Sequence, residues 1–125
     1  MEAKKILVVD DEPSSTEVFH DFLESKGYTV VEANNGNEAL ERYSLERPDL
    51  VLLDMMMPGM SGLVTLRELK ALDPNAQVIM LTGLYEEELV KQALVEGALD
   101  YITKSISPEC LESVILTKIT LCSMN

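Results

Sequence analysis

The stretch "VLLDMMMPGMSG", residues 51–62, decides the fold. From Leu50 to Leu53 the chain is wholly apolar, and nothing in it alternates with polar residues. That is the pattern of a strand covered on both faces, as in a parallel sheet. Asp54 closes the run, and Pro58, Gly59 and Gly62 then mark a loop. A carboxylate at the end of a buried strand, facing such a loop, calls for a chemical reason.

Working outward, strands and helices alternate. "KILVV" at 5–9 reads as a strand ending at Asp10-Asp11, and Pro13 opens a helix to Lys26 with Gly27 as its stop. Val18, Phe19, Phe22 and Leu23 recur there at helical spacing. "YTVVEA" at 28–33 is a second strand, Asn34-Asn35-Gly36 a turn, and Ala39, Leu40, Tyr43 and Leu45 mark a helix that ends before Pro48. Beyond the strand at 49–54, Leu63, Leu66, Leu69 and Leu72 define a helix closed by Asp73-Pro74. "AQVIMLT" at 76–82 is a fourth strand. Residues 86–96 form a helix with Leu89, Val90, Ala93 and Leu94 inward, stopped by Gly97. "ALDYITK" at 98–104 is a fifth strand. Ser107 then caps a last helix that has Pro108 at its first position. Five βα units in tandem imply an α/β fold, with a parallel sheet and helices on both faces.

The 125 residues fit one domain, 1–125, with one core system. No run approaches the roughly 18–20 apolar residues that span a bilayer, and the N-terminus lacks the apolar region of a signal peptide. The expected location is cytoplasmic. With 10 basic and 22 acidic side chains the formal charge is −12, and Lys4-Lys5 is the one basic pair, so direct nucleic-acid binding is not expected. Cys110 and Cys122 fall in the last helix. They stand about 18 Å apart along its axis, too far for a disulfide. With His20 they make no zinc pattern.

The polar residues gather at strand ends. Asp10 and Asp11 follow the first strand, Asp54 ends the third, Thr82 the fourth and Lys104 the fifth. Open α/β sheets bind ligands at the carboxyl ends of their strands. Three carboxylates converging there repel one another unless a cation relieves them. Mg²⁺ suits a few carboxylates together with water and phosphate oxygens. Asp10, Asp11 and Asp54, with the backbone carbonyl of Met56, form a candidate Mg²⁺ set. Lys104 supplies a positive charge and Thr82 a hydroxyl donor for phosphate oxygens. Asp54 is then a candidate nucleophile that forms an aspartyl phosphate.

"LVVDDE" at 7–12, "LLDMMMPGMSG" at 52–62, "MLTG" at 80–83 and "DYITK" at 100–104 together resemble the receiver domain of two-component response regulators. The resemblance covers nearly the whole chain. It implies the flavodoxin-like doubly wound (βα)5 fold, with a five-stranded parallel sheet in the order 2-1-3-4-5. It also implies a phosphorylation-controlled switch in a phosphorelay. Asp54 would accept the phosphoryl group from a histidine kinase or phosphotransfer protein, Asp10 and Asp11 would hold Mg²⁺, and Thr82 and Lys104 would contact the phosphate. Tyr101 would switch rotamer with Thr82. The output face would lie at about residues 85–120, toward a downstream protein or domain. Such a module is not an enzyme in the usual sense, because it catalyses only its own phosphorylation and dephosphorylation. One departure stands out: Lys104 is followed by Ser105, where the family usually has proline, often after a cis bond.

Taken singly, these residues have plainer readings. Asp10-Asp11 would cap a helix, Tyr101 would fill the core, Lys104 would be a surface lysine, and His20 a solvated residue without a catalytic role. Two other functions use a similar site: a Mg²⁺-dependent phosphohydrolase with Asp54 as nucleophile, and a degenerate receiver serving as a scaffold. The hydrolase usually needs a second aspartate two residues on, where this chain has Met56. A flavodoxin-like cofactor binder would need a Ser/Thr/Gly-rich loop in place of the acidic "DDEPSS". Met56 offers no hydrogen bond to a hydrolytic water, while Gly83 leaves the phosphoryl group sterically open. The balance predicts moderately slow self-dephosphorylation.

Overall fold

A computed structural model describes residues 4–123, with side chains through Ile119. The elements are β1 (Lys5–Val9), α1 (Pro13–Ser25), β2 (Thr29–Ala33), α2 (Gly36–Glu46), β3 (Leu50–Leu53), α3 (Gly62–Leu72), β4 (Val78–Thr82), α4 (Glu87–Val95), β5 (Asp100–Thr103) and α5 (Pro108–Ser123). All five strands pair in parallel, in the order β2-β1-β3-β4-β5. This is the flavodoxin-like arrangement. Each expected element is present, with ends moved by at most two residues, which is ordinary for strand and helix termini.

The apolar strands divide by parity. Leu7, Val9, Val51, Leu53, Val78 and Met80 meet Ala39 and Tyr43 of α2, Leu66 and Leu69 of α3, and Ala93 of α4. Ile6, Val8, Leu50, Leu52, Ile79 and Leu81 meet Phe19 and Leu23 of α1 and Leu111, Ile115 and Ile119 of α5. Successive side chains on a strand point to opposite faces, so a continuous apolar run serves two cores at once. Each fully buried Leu or Ile contributes about 1.5–3 kcal/mol through burial.

Side-chain caps start three helices. Asn35 accepts from the Glu38 N–H at 2.8 Å, Ser61 from Val64 at 3.3 Å and Ser107 from Cys110 at 3.1 Å. α1 has Pro13 in its first turn and no side-chain cap of its own. Asp10 does not cap it either. Its Oδ1 accepts from the Glu12 N–H at 2.8 Å, one residue short of the helix, which frees the other oxygen for the site.

Several expected inward residues are exposed. Leu94 is 47% exposed, because the stripe of α4 centres on Ala93, with Leu89 and Val90 partly buried beside it. Val18, Leu45 and Leu72 also face outward. Each helix covers one face of the sheet, so only the middle of its apolar stripe is enclosed. His20 is not a freely solvated residue. Its ring nitrogens lie 3.2 Å from Glu24 Oε1 on α1 and 3.3 Å from Glu32 Oε2 on β2. Cys110 is a free, exposed thiol. Cys122 lies outside the described side chains.

Candidate functional site

The order β2-β1-β3-β4-β5 places the ends of β1, β3, β4 and β5 side by side. Asp10, Asp11, Asp54, Thr82 and Lys104 therefore line one pocket of about 330 Å³, together with Glu12, Met56, Gly83 and Leu84. A larger depression of about 760 Å³ between α2 and α3 is mainly apolar, lined by residues such as Leu40, Leu45 and Leu72, and gathers no comparable polar set.

Asp10 and Asp54 are buried, at 3% and 6% exposure. One ligand oxygen from each of Asp10, Asp11 and Asp54 lies within 4.8 Å of the others. Opposite oxygens of an octahedral Mg²⁺ stand about 4.1 Å apart, from bonds of about 2.0–2.1 Å. The all-oxygen donor set and its spacing therefore fit Mg²⁺ with small side-chain adjustments. The Met56 side chain points to solvent at 62% exposure, while its backbone N–H lies 3.5 Å from Asp54 Oδ1.

Lys104 bridges the carboxylates. Its Nζ lies 2.6 Å from Asp10 Oδ2 and 3.5 Å from Asp54 Oδ2. Burial alone would lower its pKa, but the bond to Asp10 and the charge of Asp54 outweigh that and raise it above the ordinary lysine value. The group is a fixed cation. No peptide bond among the described residues is cis, so the Lys104-Ser105 bond is trans. Here the loop is held by other means. The Lys104 N–H donates to the Thr82 carbonyl at 2.9 Å, Ile106 N–H to Thr103 at 3.1 Å, and the Thr103 and Ser105 hydroxyls pair at 2.7 Å.

Thr82 is buried, and its Oγ1 accepts from the Leu84 N–H at 3.3 Å. A hydroxyl that accepts there keeps its own proton to donate. Tyr101 does not line the pocket. It sits behind it, donating to the Leu84 carbonyl at 2.6 Å, with its ring edge-on to Tyr85 at 6.2 Å. Burial, then the charges of Asp54 and Glu86, push its pKa up, so it remains a donor.

Three contributors were not read from the sequence. Ser15 Oγ lies 3.0 Å from Asp10 Oδ2 and 2.9 Å from Lys104 Nζ. Its position in the first turn of α1, beside the acidic pair, was the available signal. Leu84 contributes only backbone, which leaves no side-chain signature. Gly62 packs its Cα against the main chain at the site. A Cβ there would stand 2.2 Å from the Asp54 carbonyl oxygen and 2.5 Å from Met55 Cα. The Gly62 N–H donates to the Met55 carbonyl at 2.8 Å.

The chain is similar to known proteins over most of its length. Residues 6–116 match the family model of the response regulator receiver domain. The chemotaxis protein CheY of Thermotoga maritima is 37% identical over 106 residues, 84% of this chain and 88% of that protein. The crystal structure of a CheY-like receiver domain protein from Methanospirillum hungatei matches with a TM-score of 0.93 at 32% identity, over 98% of each chain. A structure of the CheX-CheY-BeF3-Mg complex from Borrelia burgdorferi matches with a TM-score of 0.87 at 30% identity, over 93% of this chain and 89% of that one. By sequence and by fold, the chain belongs to the response regulator receiver domains, the phosphorylation-controlled signalling switches of two-component systems.

Proposed function

We propose that Asp54 accepts a phosphoryl group from a phosphohistidine donor, a histidine kinase or phosphotransfer protein, with Asp10, Asp11, Asp54 and the Met56 carbonyl holding Mg²⁺. The observation that carries this reading is the buried Asp54 carboxylate with the Lys104 ammonium 3.5 Å away and two more carboxylates within 4.8 Å. An Asp54 oxygen attacks phosphorus in line with the departing imidazole nitrogen. The O–P bond forms as the N–P bond breaks, and the imidazole leaves with a proton from solvent. Bound Mg²⁺ would neutralise charge on the phosphoryl oxygens. Lys104 donates to one of those oxygens and Thr82 to another.

Residues 1–125 act as one receiver domain in the cytoplasm. Phosphorylation shifts an existing equilibrium of the α4–β5–α5 face, about residues 85–120, toward binding an output protein or domain. The net charge of −12 supports a protein partner over direct nucleic-acid contact. Turnover on external phosphoesters is disfavoured, since the thioether of Met56 cannot serve as a general acid or base.

The test is intact-mass analysis after incubation with a small phosphodonor, with and without Mg²⁺, beside Asp54→Asn. A single Mg²⁺-dependent phosphoryl adduct, absent from the variant, is expected. Its absence from the unsubstituted chain under every condition, or its persistence in Asp54→Asn, overturns the reading.

A further inference from the structure

The Lys104 ammonium has three N–H donors. Three oxygens stand around it: Asp10 Oδ2 at 2.6 Å, Ser15 Oγ at 2.9 Å and Asp54 Oδ2 at 3.5 Å. Two belong to the acidic cluster. The third is a neutral hydroxyl from the first turn of α1. Ser15 is itself held in place, with its N–H donating to the Glu12 carbonyl at 2.9 Å. Its hydroxyl proton has two acceptors in reach, the Glu12 carbonyl at 2.8 Å and Asp10 Oδ2 at 3.0 Å.

Resting on the reading of Asp54 as phosphoacceptor, we infer that Ser15 is a positioning residue for phosphoryl transfer, whose hydroxyl holds the Lys104 ammonium between Asp10 and Asp54. Asp10 takes one donor in close contact at 2.6 Å but leaves the ammonium free to rotate about that bond. A neutral acceptor beside it fixes the direction of a second donor without adding charge. The third donor is then turned toward Asp54, where the phosphoryl oxygens develop. The need is real for a lysine side chain, whose flexible four-carbon stem does not by itself fix where the donors point.

The test measures two things in the full chain and in Ser15→Ala, Ser15→Thr and Ser14→Ala. The first is the maximal rate of adduct formation at saturating Mg²⁺ and phosphodonor. The second is the ¹⁵Nζ resonance of Lys104, assigned with Lys104→Arg. Alanine favours the helix, so Ser15→Ala retains the fold, as circular dichroism checks. The expected result is a maximal rate about three- to tenfold lower in Ser15→Ala, with the half-saturating donor concentration unchanged and the Lys104 resonance moved. Ser15→Thr restores both, and Ser14→Ala, on the exposed neighbour, alters neither. An unchanged rate in Ser15→Ala overturns the inference. So does an equal loss in Ser15→Thr with the Lys104 resonance unmoved, which marks a helix effect. No adduct in the unsubstituted chain overturns the phosphoacceptor reading itself, a distinct pattern.

Discussion

Thr82 and Tyr101 are joined through Leu84: the Leu84 N–H donates to Thr82 Oγ1 at 3.3 Å, and the Leu84 carbonyl accepts from the Tyr101 hydroxyl at 2.6 Å. The end of β4 and the ring on β5 thus share one residue in the segment leading into α4. Displacing the Thr82 hydroxyl toward a phosphoryl group breaks the first bond and loosens the residue that holds the second. Tyr101→Phe keeps the ring and removes only its bond. Unfolding in urea should show a loss of about 0.5–1.5 kcal/mol. Nuclear magnetic resonance should show Leu84 and Tyr85 shifting while Asp54 stays in place.

Asp10 and Asp54 differ in what Lys104 gives them. Removing the Asp10 charge takes away the nearest partner of a largely buried ammonium, 2.6 Å away. Asp10→Asn should therefore destabilise the fold by about 1–3 kcal/mol, the cost of a hydrogen-bond donor left without its partner. Removing the Asp54 charge relieves repulsion within the cluster and leaves the shorter pair intact. Asp54→Asn should match or exceed the unsubstituted chain in thermal stability without divalent ions. Equal losses in the two variants would contradict this ordering.

Gly62 is required by contact, not by a turn. A methyl group there meets the Asp54 carbonyl oxygen at 2.2 Å and Met55 Cα at 2.5 Å, both main chain of the site. Backbone yields less readily than a flexible side chain. Gly62→Ala should cost about 1–3 kcal/mol and slow adduct formation. Gly83→Ala, with nothing within 4 Å of the added carbon, should leave stability nearly unchanged.

His20 makes stability depend on pH. Burial alone lowers its pKa, but the hydrogen bond and charge of Glu32, then those of Glu24, outweigh burial and raise it above 6.5. A neutral imidazole has one N–H and cannot donate to both carboxylates. The folded pKa lies above the unfolded one. The contribution is therefore complete below about 6.5 and is lost as pH rises through the raised folded value. His20→Gln should flatten that part of the stability profile measured by urea unfolding across this range.

With Asp54 as the proposed phosphoacceptor, Met56 is expected to slow loss of the adduct. Its side chain is 62% exposed at the mouth of the pocket and offers a hydrolytic water no strong hydrogen bond. Met56→Asn or Met56→Glu should speed loss of the adduct, followed by mass over time. An unchanged decay would remove Met56 from the account.

Much of this protein is legible in its residues. The apolar run before Asp54 has the pattern expected of a strand buried on both faces, and the alternation of strands and helices in five βα units implies the parallel sheet. Punctuation by Gly27, Pro48, Gly97 and Pro108 set the helix ends to within a residue or two. Asp10, Asp11, Asp54, Thr82 and Lys104 stood out because each ends a strand, a position local pattern records. The tertiary structure alone decided what depends on distance across the fold. It set Lys104 closer to Asp10 than to Asp54, brought Ser15 from α1 to the ammonium, and bracketed His20 with a glutamate from β2. It also chose which leucines of each apolar stripe are enclosed and which, such as Leu45 and Leu94, remain outside. Periodicity and turn chemistry are properties of neighbouring residues, so sequence carries them. Hydrogen bonds between residues as far apart as Ser15 and Lys104 depend on how separate elements dock, and no local pattern encodes that.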